Sequence, residues 1–172
     1  MIGGRGAMFA LGGLAALLLV LAVVSGWQGT NRLAGRSDYT AAVEKACGLF
    51  VEAYGTFDFR DANSYRERLR TLTTGALRAA VTSSQIDSAA IGGLQTVSTR
   101  VVRAQATALS DEAATISVTA EQSRRSVVVG SGQLIDEEVQ QRVACRLALE
   151  AGSWLVAEFR LESEQPLRSP RS

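Results

Sequence analysis

The chain has 172 residues, a formal net charge of +1 and 20% charged residues, which suits one domain plus an anchoring segment and gives no bulk field for a polyanion. It contains no histidine and two cysteines, Cys47 and Cys145, too far apart in sequence for any metal-ligand spacing. The commonest general base, the commonest metal ligand and the usual activator of a thiol nucleophile are therefore missing, so no catalytic, cofactor-binding or metal-binding residues are assigned.

Residues 1–6 read as a short N-terminal tail. From Ala7 to Trp27 the sequence AMFALGGLAALLLVLAVVSGW carries no charge, and about twenty apolar residues at 1.5 Å rise span a ~30 Å hydrocarbon layer. Arg5 closes one end, and Trp27 stands where an interfacial aromatic is expected. A cleaved signal peptide has a shorter apolar region of about 7–15 residues. A soluble core helix would not be apolar all round with glycines so near. A transmembrane helix over 7–27 is the expectation. Arg5 on one side and Arg32 and Arg36 on the other nearly balance, so orientation rests on the larger soluble part being translocated regardless of charge. The expected location is the cell membrane, single-pass, with the soluble domain extracytoplasmic.

Residues 28–38 read as a polar linker, with Gly29, Asn31 and Gly35. Val43, Cys47, Phe50 and Tyr54 then recur at helical spacing. Gly55 to Asn63 breaks the pattern, and Ser64 with Glu67 has the spacing of a capping box for a second helix carrying Leu69 and Leu72. Thr73 or Thr74 is placed to cap a third helix with Leu77, Ala80 and Val81. After Gly92-Gly93 the period shifts towards two. Val97, Val101, Ala104 and Ala106 alternate imperfectly, whereas Ala114, Ile116 and Val118 alternate cleanly with Thr115, Ser117 and Thr119. Val143, Cys145, Leu147 and Leu149 mark the clearest strand, Ala151-Gly152 a tight hairpin turn, and Trp154, Val156, Phe159 and Leu161 a last strand whose phase slips at a bulge. Residues 163–172 read as a disordered tail.

Helices grouped before a mostly antiparallel sheet give an α+β fold: about three helices packed on a curled four-stranded sheet over residues 39–162, with the transmembrane helix in front. Three stretches carry a resemblance: Phe50 to Asp58 (FVEAYGTFD), the Leu72-Thr73-Thr74 junction, and Gly152-Ser153-Trp154-Leu155-Val156. They resemble the nuclear-transport-factor-2-like cone domains of bacterial membrane-anchored accessory proteins. These include TcpC-like and VirB-type conjugation components and Mce-associated membrane proteins. The resemblance implies a non-catalytic scaffold of a conjugative, type IV-like apparatus, with other membrane-complex subunits or a second copy as partners and no direct nucleic-acid contact. An accessory subunit of an Mce lipid-transport system is the alternative, and a small-ligand-binding or isomerase-like cone a further one.

Within that fold, Tyr54, Asp58, Asp61 and Tyr65 are the side chains that could line the mouth of the cone, against ordinary roles as a core tyrosine and as turn carboxylates. Arg124, Arg125, Val127, Val128 and Val129 read either as a strand carrying solvated arginines or as an exposed apolar segment offered to a partner. Asp136-Glu137-Glu138 reads as a solvated acidic loop. Trp154 is expected to be mostly buried against Phe50 or Tyr54. Cys47 and Cys145 fall on the apolar faces of the first helix and a central strand, facing one layer. They are either a disulfide, which an oxidising compartment allows, or two buried thiols.

Overall fold

The computed structural model describes residues 37–84 and 88–167. The chain divides between Tyr39 and Thr40, and the elements below, apart from the first three residues of the first helix, build the second unit. The expected transmembrane helix over 7–27 and nearly all of the linker lie outside the described residues. Among the described residues no helix is long and apolar enough to cross a membrane.

Helix α1 covers residues 37–55. Strand β1 (Phe57–Asp58) and a 3₁₀ turn (Phe59–Asp61) follow, then helices α2 (Ala62–Leu72), α3 (Gly75–Ser83) and α4 (Ser88–Gly92). Four long strands complete the domain: β2 (Thr96–Leu109), β3 (Ala113–Val127), β4 (Leu134–Glu150) and β5 (Ser153–Pro166). The sheet runs β1-β2-β3-β4-β5, every neighbouring pair is antiparallel, and it curls over the helices. The α+β order is as expected. The sheet has five strands rather than four, because two residues in the break after α1 pair with β2, and α4 adds a short helix that ends at Gly92.

Side-chain alternation sets the layers. On β3 the residues Ala114, Ile116, Val118 and Ala120 are buried while Thr115, Ser117 and Thr119 lie on the other face, the period-two pattern of a strand covered on one side. Val143, Cys145 and Leu147 of β4 sit opposite Val118, Ile116 and Ala114 and are buried with them. From α1, Val43, Cys47, Phe50 and Val51 close this layer, all at most 3% exposed. Cys47 and Cys145 are joined by a disulfide with Cα atoms 6.4 Å apart, tying α1 to the middle of the sheet across 98 residues of sequence.

The edges of the sheet are handled differently. β2 pairs with β1 only at Val97 and Thr96, so most of that edge lacks a strand partner. α1 lies along it instead: Val101 N donates to Glu52 Oε1 at 3.3 Å and Ala106 N to Glu44 Oε1 at 2.9 Å. These amides lie at the two register shifts of β2, and the bulges explain its imperfect alternation. At the other edge, the α2–α3 junction covers the start of β5. Thr73 bridges to Val156, and Thr74 N donates to Val156 O at 2.9 Å. The second half of β5 carries Arg160, Glu162, Glu164 and Pro166, residues that discourage edge-to-edge pairing.

Several local expectations change. The helix is already formed at Ser37, inside the expected linker, and β5 extends to Pro166, inside the expected tail. Asp136-Glu137-Glu138 is not a loop; it lies on β4, opposite Arg125, Arg124 and Ser123. Ser64 and Glu67 form no capping box. The chain begins coiling at Phe59, with Asp58 accepting from Arg60 N, so Ser64 falls inside α2 and donates to Asp61 while Glu67 pairs with Arg70. Trp154 is half-buried beside the Ala151-Gly152 turn, opposite Leu149. Phe159 takes the place expected of Trp154, with its ring 5.4 Å from Phe50 and 4.6 Å from Tyr54. The register shift at Arg146/Leu147 is the bulge that brings Phe159 to the inner face. The turn has positive φ at both Ala151 and Gly152, the geometry a two-residue hairpin favours.

Candidate functional site

The curled sheet and the helices line an open cavity of about 480 Å³, within the range of small-molecule sites. Its approach is set by Gly55, at the end of α1. A Cβ built there would lie 2.8 Å from Thr99 Cβ, so only glycine lets the helix end so close to β2. The Gly55 carbonyl, an orphan at the helix terminus, accepts from Thr99 Oγ1 at 2.7 Å and Gln122 Nε2 at 3.2 Å. Phe57, Leu69, Val81, Val97, Phe159 and Leu161 supply apolar walls.

A polar network lies on one side of the cavity. Arg124 grips Glu164 with two hydrogen bonds, 3.1 and 2.6 Å, the bidentate geometry that makes arginine–carboxylate pairs strong. Gln141 Nε2 donates to Glu164 Oε2 at 2.6 Å, and Arg124 Nε donates to Gln122 Oε1. The hydrogen bonds from Arg124 first, and from Gln141 next, hold the Glu164 carboxyl below the usual glutamate range. Tyr65 OH donates to the Tyr54 carbonyl at 2.8 Å. Burial foremost, then the nearby Tyr54, pushes the Tyr65 hydroxyl up to about 12. A carboxyl held low and a phenol held high are both poorly matched to proton transfer near neutrality.

Of the side chains considered from sequence, Tyr54 and Tyr65 do line this cavity, with Tyr54 46% exposed rather than core. Asp58 and Asp61 do not. Asp58 caps the 3₁₀ turn, and Asp61 precedes α2 and accepts from Ser64. Arg124 and Arg125 separate, as successive strand residues must: Arg124 turns into the cavity, while Arg125 faces outward and pairs with Asp136 at 3.3 Å. Val127 is the last residue of β3, and Val128 and Val129 begin the hairpin loop, in which Val129 is 76% exposed and Leu134 across the loop 55%. Val128 N donates to Gln133 O at 2.9 Å, and Gly130 and Gly132 take positive φ, so the apolar tip is held in a defined shape. Among the described residues no group of three or more acidic, histidine or cysteine side chains could hold a metal ion.

Gln122, Gln141, Glu164 and Arg66 were not anticipated. The signal was present for two of the site's residues. Continuing the inward phase of Ala114, Ile116, Val118 and Ala120 places Gln122 and then Arg124 on the inner face. Arg66, on α2, lines the cavity, and its Nε–H is buried without an acceptor among the described residues. An unmet buried donor on a charged group carries a cost of about 1–3 kcal/mol or more.

No protein family matches the chain by its sequence, and no curated protein does. Among the solved structures that share its fold are the following three. The chain aligns over 78% of its length with an Ntf2-like protein involved in plasmid conjugation, at 12% identity and a TM-score of 0.51, and spans 51% of that protein. It aligns over 75% with the VirB8 protein of Agrobacterium tumefaciens, at 9% identity and a TM-score of 0.52, covering 94% of that chain. With an IcmL-like type IV secretion system protein of Legionella pneumophila the values are 77%, 10% and 0.52, covering 96% of that chain. The described domain therefore has the Ntf2-like cone fold.

Proposed function

We propose that the chain is a single-pass membrane-anchored, non-catalytic assembly component of a type IV-like conjugation or secretion apparatus, with its cone domain outside the cytoplasm. The observation that carries this reading is the shared cone: it spans nearly the whole of the VirB8 and IcmL-like chains. Three features of this chain support it. The apolar segment over 7–27 has the length of an anchor. The buried Cys47–Cys145 bond fits an oxidising compartment. The exposed hairpin tip at Val129 and Leu134 offers apolar surface of the kind that marks protein contacts, where Arg124, one of the original interface candidates, is instead committed to the cavity.

Photo-crosslinking in cells that assemble the apparatus tests the reading. A benzophenone amino acid at Val129 should give an adduct with a second copy of the chain or with another membrane subunit encoded beside it. The same group at Thr107, on β2, should not. Equal yields at both positions, or no adduct from Val129, would remove the hairpin tip as an assembly surface.

A further inference from the structure

We propose that the outer face of the sheet, turned away from the helices, rests on anionic phospholipid headgroups, with Arg103 and Arg142 receiving a phosphate across Thr119. This docking rests on the membrane anchor of the reading above.

Register brings the two arginines together. Arg103 of β2 and Arg142 of β4 both stand opposite Thr119 of β3, so their Cα atoms lie about 10 Å apart, two strand spacings, with the threonine between them. Thr119 alternates with the buried Val118 and Ala120, and the three residues line an open depression with Gln105, Ser117 and Arg160. The cations around it are matched: Arg100 by Glu121 at 2.6 Å, Arg146 by Glu158 at 2.6 Å and Arg160 by Glu162 at 3.8 Å. Arg103 and Arg142 are exposed, and their side chains meet no charged or hydrogen-bonding partner among the described residues. Asp87 is the one acidic side chain outside those residues, and Ser84 and Ala90 on either side of it line the cavity on the opposite face.

Two guanidinium groups flanking a hydroxyl suit a phosphate. The depression has no aromatic side chain on which a nucleic-acid base could stack. Its one large apolar residue, Ile116, is fully buried, so it lacks the apolar core of a stable protein interface. Exposed arginines gain little from a single soluble phosphate in the dielectric of water. A surface bearing many phosphates, held beside the domain by the chain's own anchor, offers them at a far higher effective concentration. Residues 28–36 join the apolar segment to α1 and reach about 30 Å when fully extended.

Energy transfer from the full-length chain to the bilayer tests this. Gln165→Cys, on the outer face opposite Gln140, carries a donor fluorophore, and a trace headgroup-labelled lipid carries the acceptor. The chain is placed in nanodiscs of phosphatidylcholine alone or of phosphatidylcholine with phosphatidylglycerol. Transfer should be higher in the anionic discs. There, Arg103→Gln or Arg142→Gln should lower the ratio of docked to undocked chains about 5-fold, and the two together about 30-fold, as expected for arginines at an anionic surface. Arg70→Gln, which removes the same charge from α2, should leave transfer unchanged. Equal transfer in both kinds of disc, a double variant that docks like the wild type, or an equal loss from Arg70→Gln each overturns the docking alone. A chain that does not purify with the discs overturns the anchor, and the docking with it.

Discussion

Replacing both Cys47 and Cys145 with alanine should destabilise the cone domain by up to about 4.7 kcal/mol, the chain-entropy value for a loop of about 100 residues. The bond spans 98 residues, so in its absence the unfolded chain regains nearly the whole conformational freedom of the domain. Both residues are fully buried, and the lost sulfur contacts act in the same direction. Against a net stability of about 5–15 kcal/mol, the full value would take from just under a third to nearly all of the total. It should appear as a large fall in the urea midpoint of a soluble form beginning at Arg36. Thiol labelling of the denatured, unreduced wild type should find no free thiol. A double variant unfolding at the wild-type midpoint, or two labelled thiols, would show that the bond does not hold the domain.

Phe50→Ala should cost about 3–5 kcal/mol, the range for a buried aromatic truncated to alanine. Phe50 is 1% exposed and is the largest of the fully buried side chains. It also meets Phe159 edge-on at 5.4 Å and Tyr54 at 5.8 Å, contacts worth more than their area alone. Trp154→Ala should cost less, since the indole is only half-buried. Equal melting shifts for the two variants would contradict this assignment of the core.

Much of the architecture was readable because one physical signal, side-chain period, dominates where one face is buried. β3 shows this through Ile116 and Val118, and α1 through Val43, Cys47 and Phe50. The signal faded in two kinds of place. Where bulges reset the phase, at Val101 and Ala106 in β2, alternation blurs, and at the end of a strand it gives the face but not the cover: Trp154 shares the phase of Val156 yet lies beside the turn and stays half-buried. Where a strand turns polar, periodicity goes unread: Asp136-Glu137-Glu138 looked like a loop although it pairs along β3. The cavity was hidden for the same reason. Its polar residues come from α2, β3, β4 and β5, and no local spacing links Arg66, Gln122, Gln141 and Glu164. Only the curl of the sheet brings them together.

The central claim, that this chain is a part of a transfer apparatus, is tested most directly by deleting its gene from donor cells and measuring transfer frequency by mating. The account predicts that transfer falls to the limit of detection, that the full-length wild-type chain expressed in trans restores it, and that a form lacking residues 1–27 does not. Undiminished transfer from the deletion strain would contradict the account.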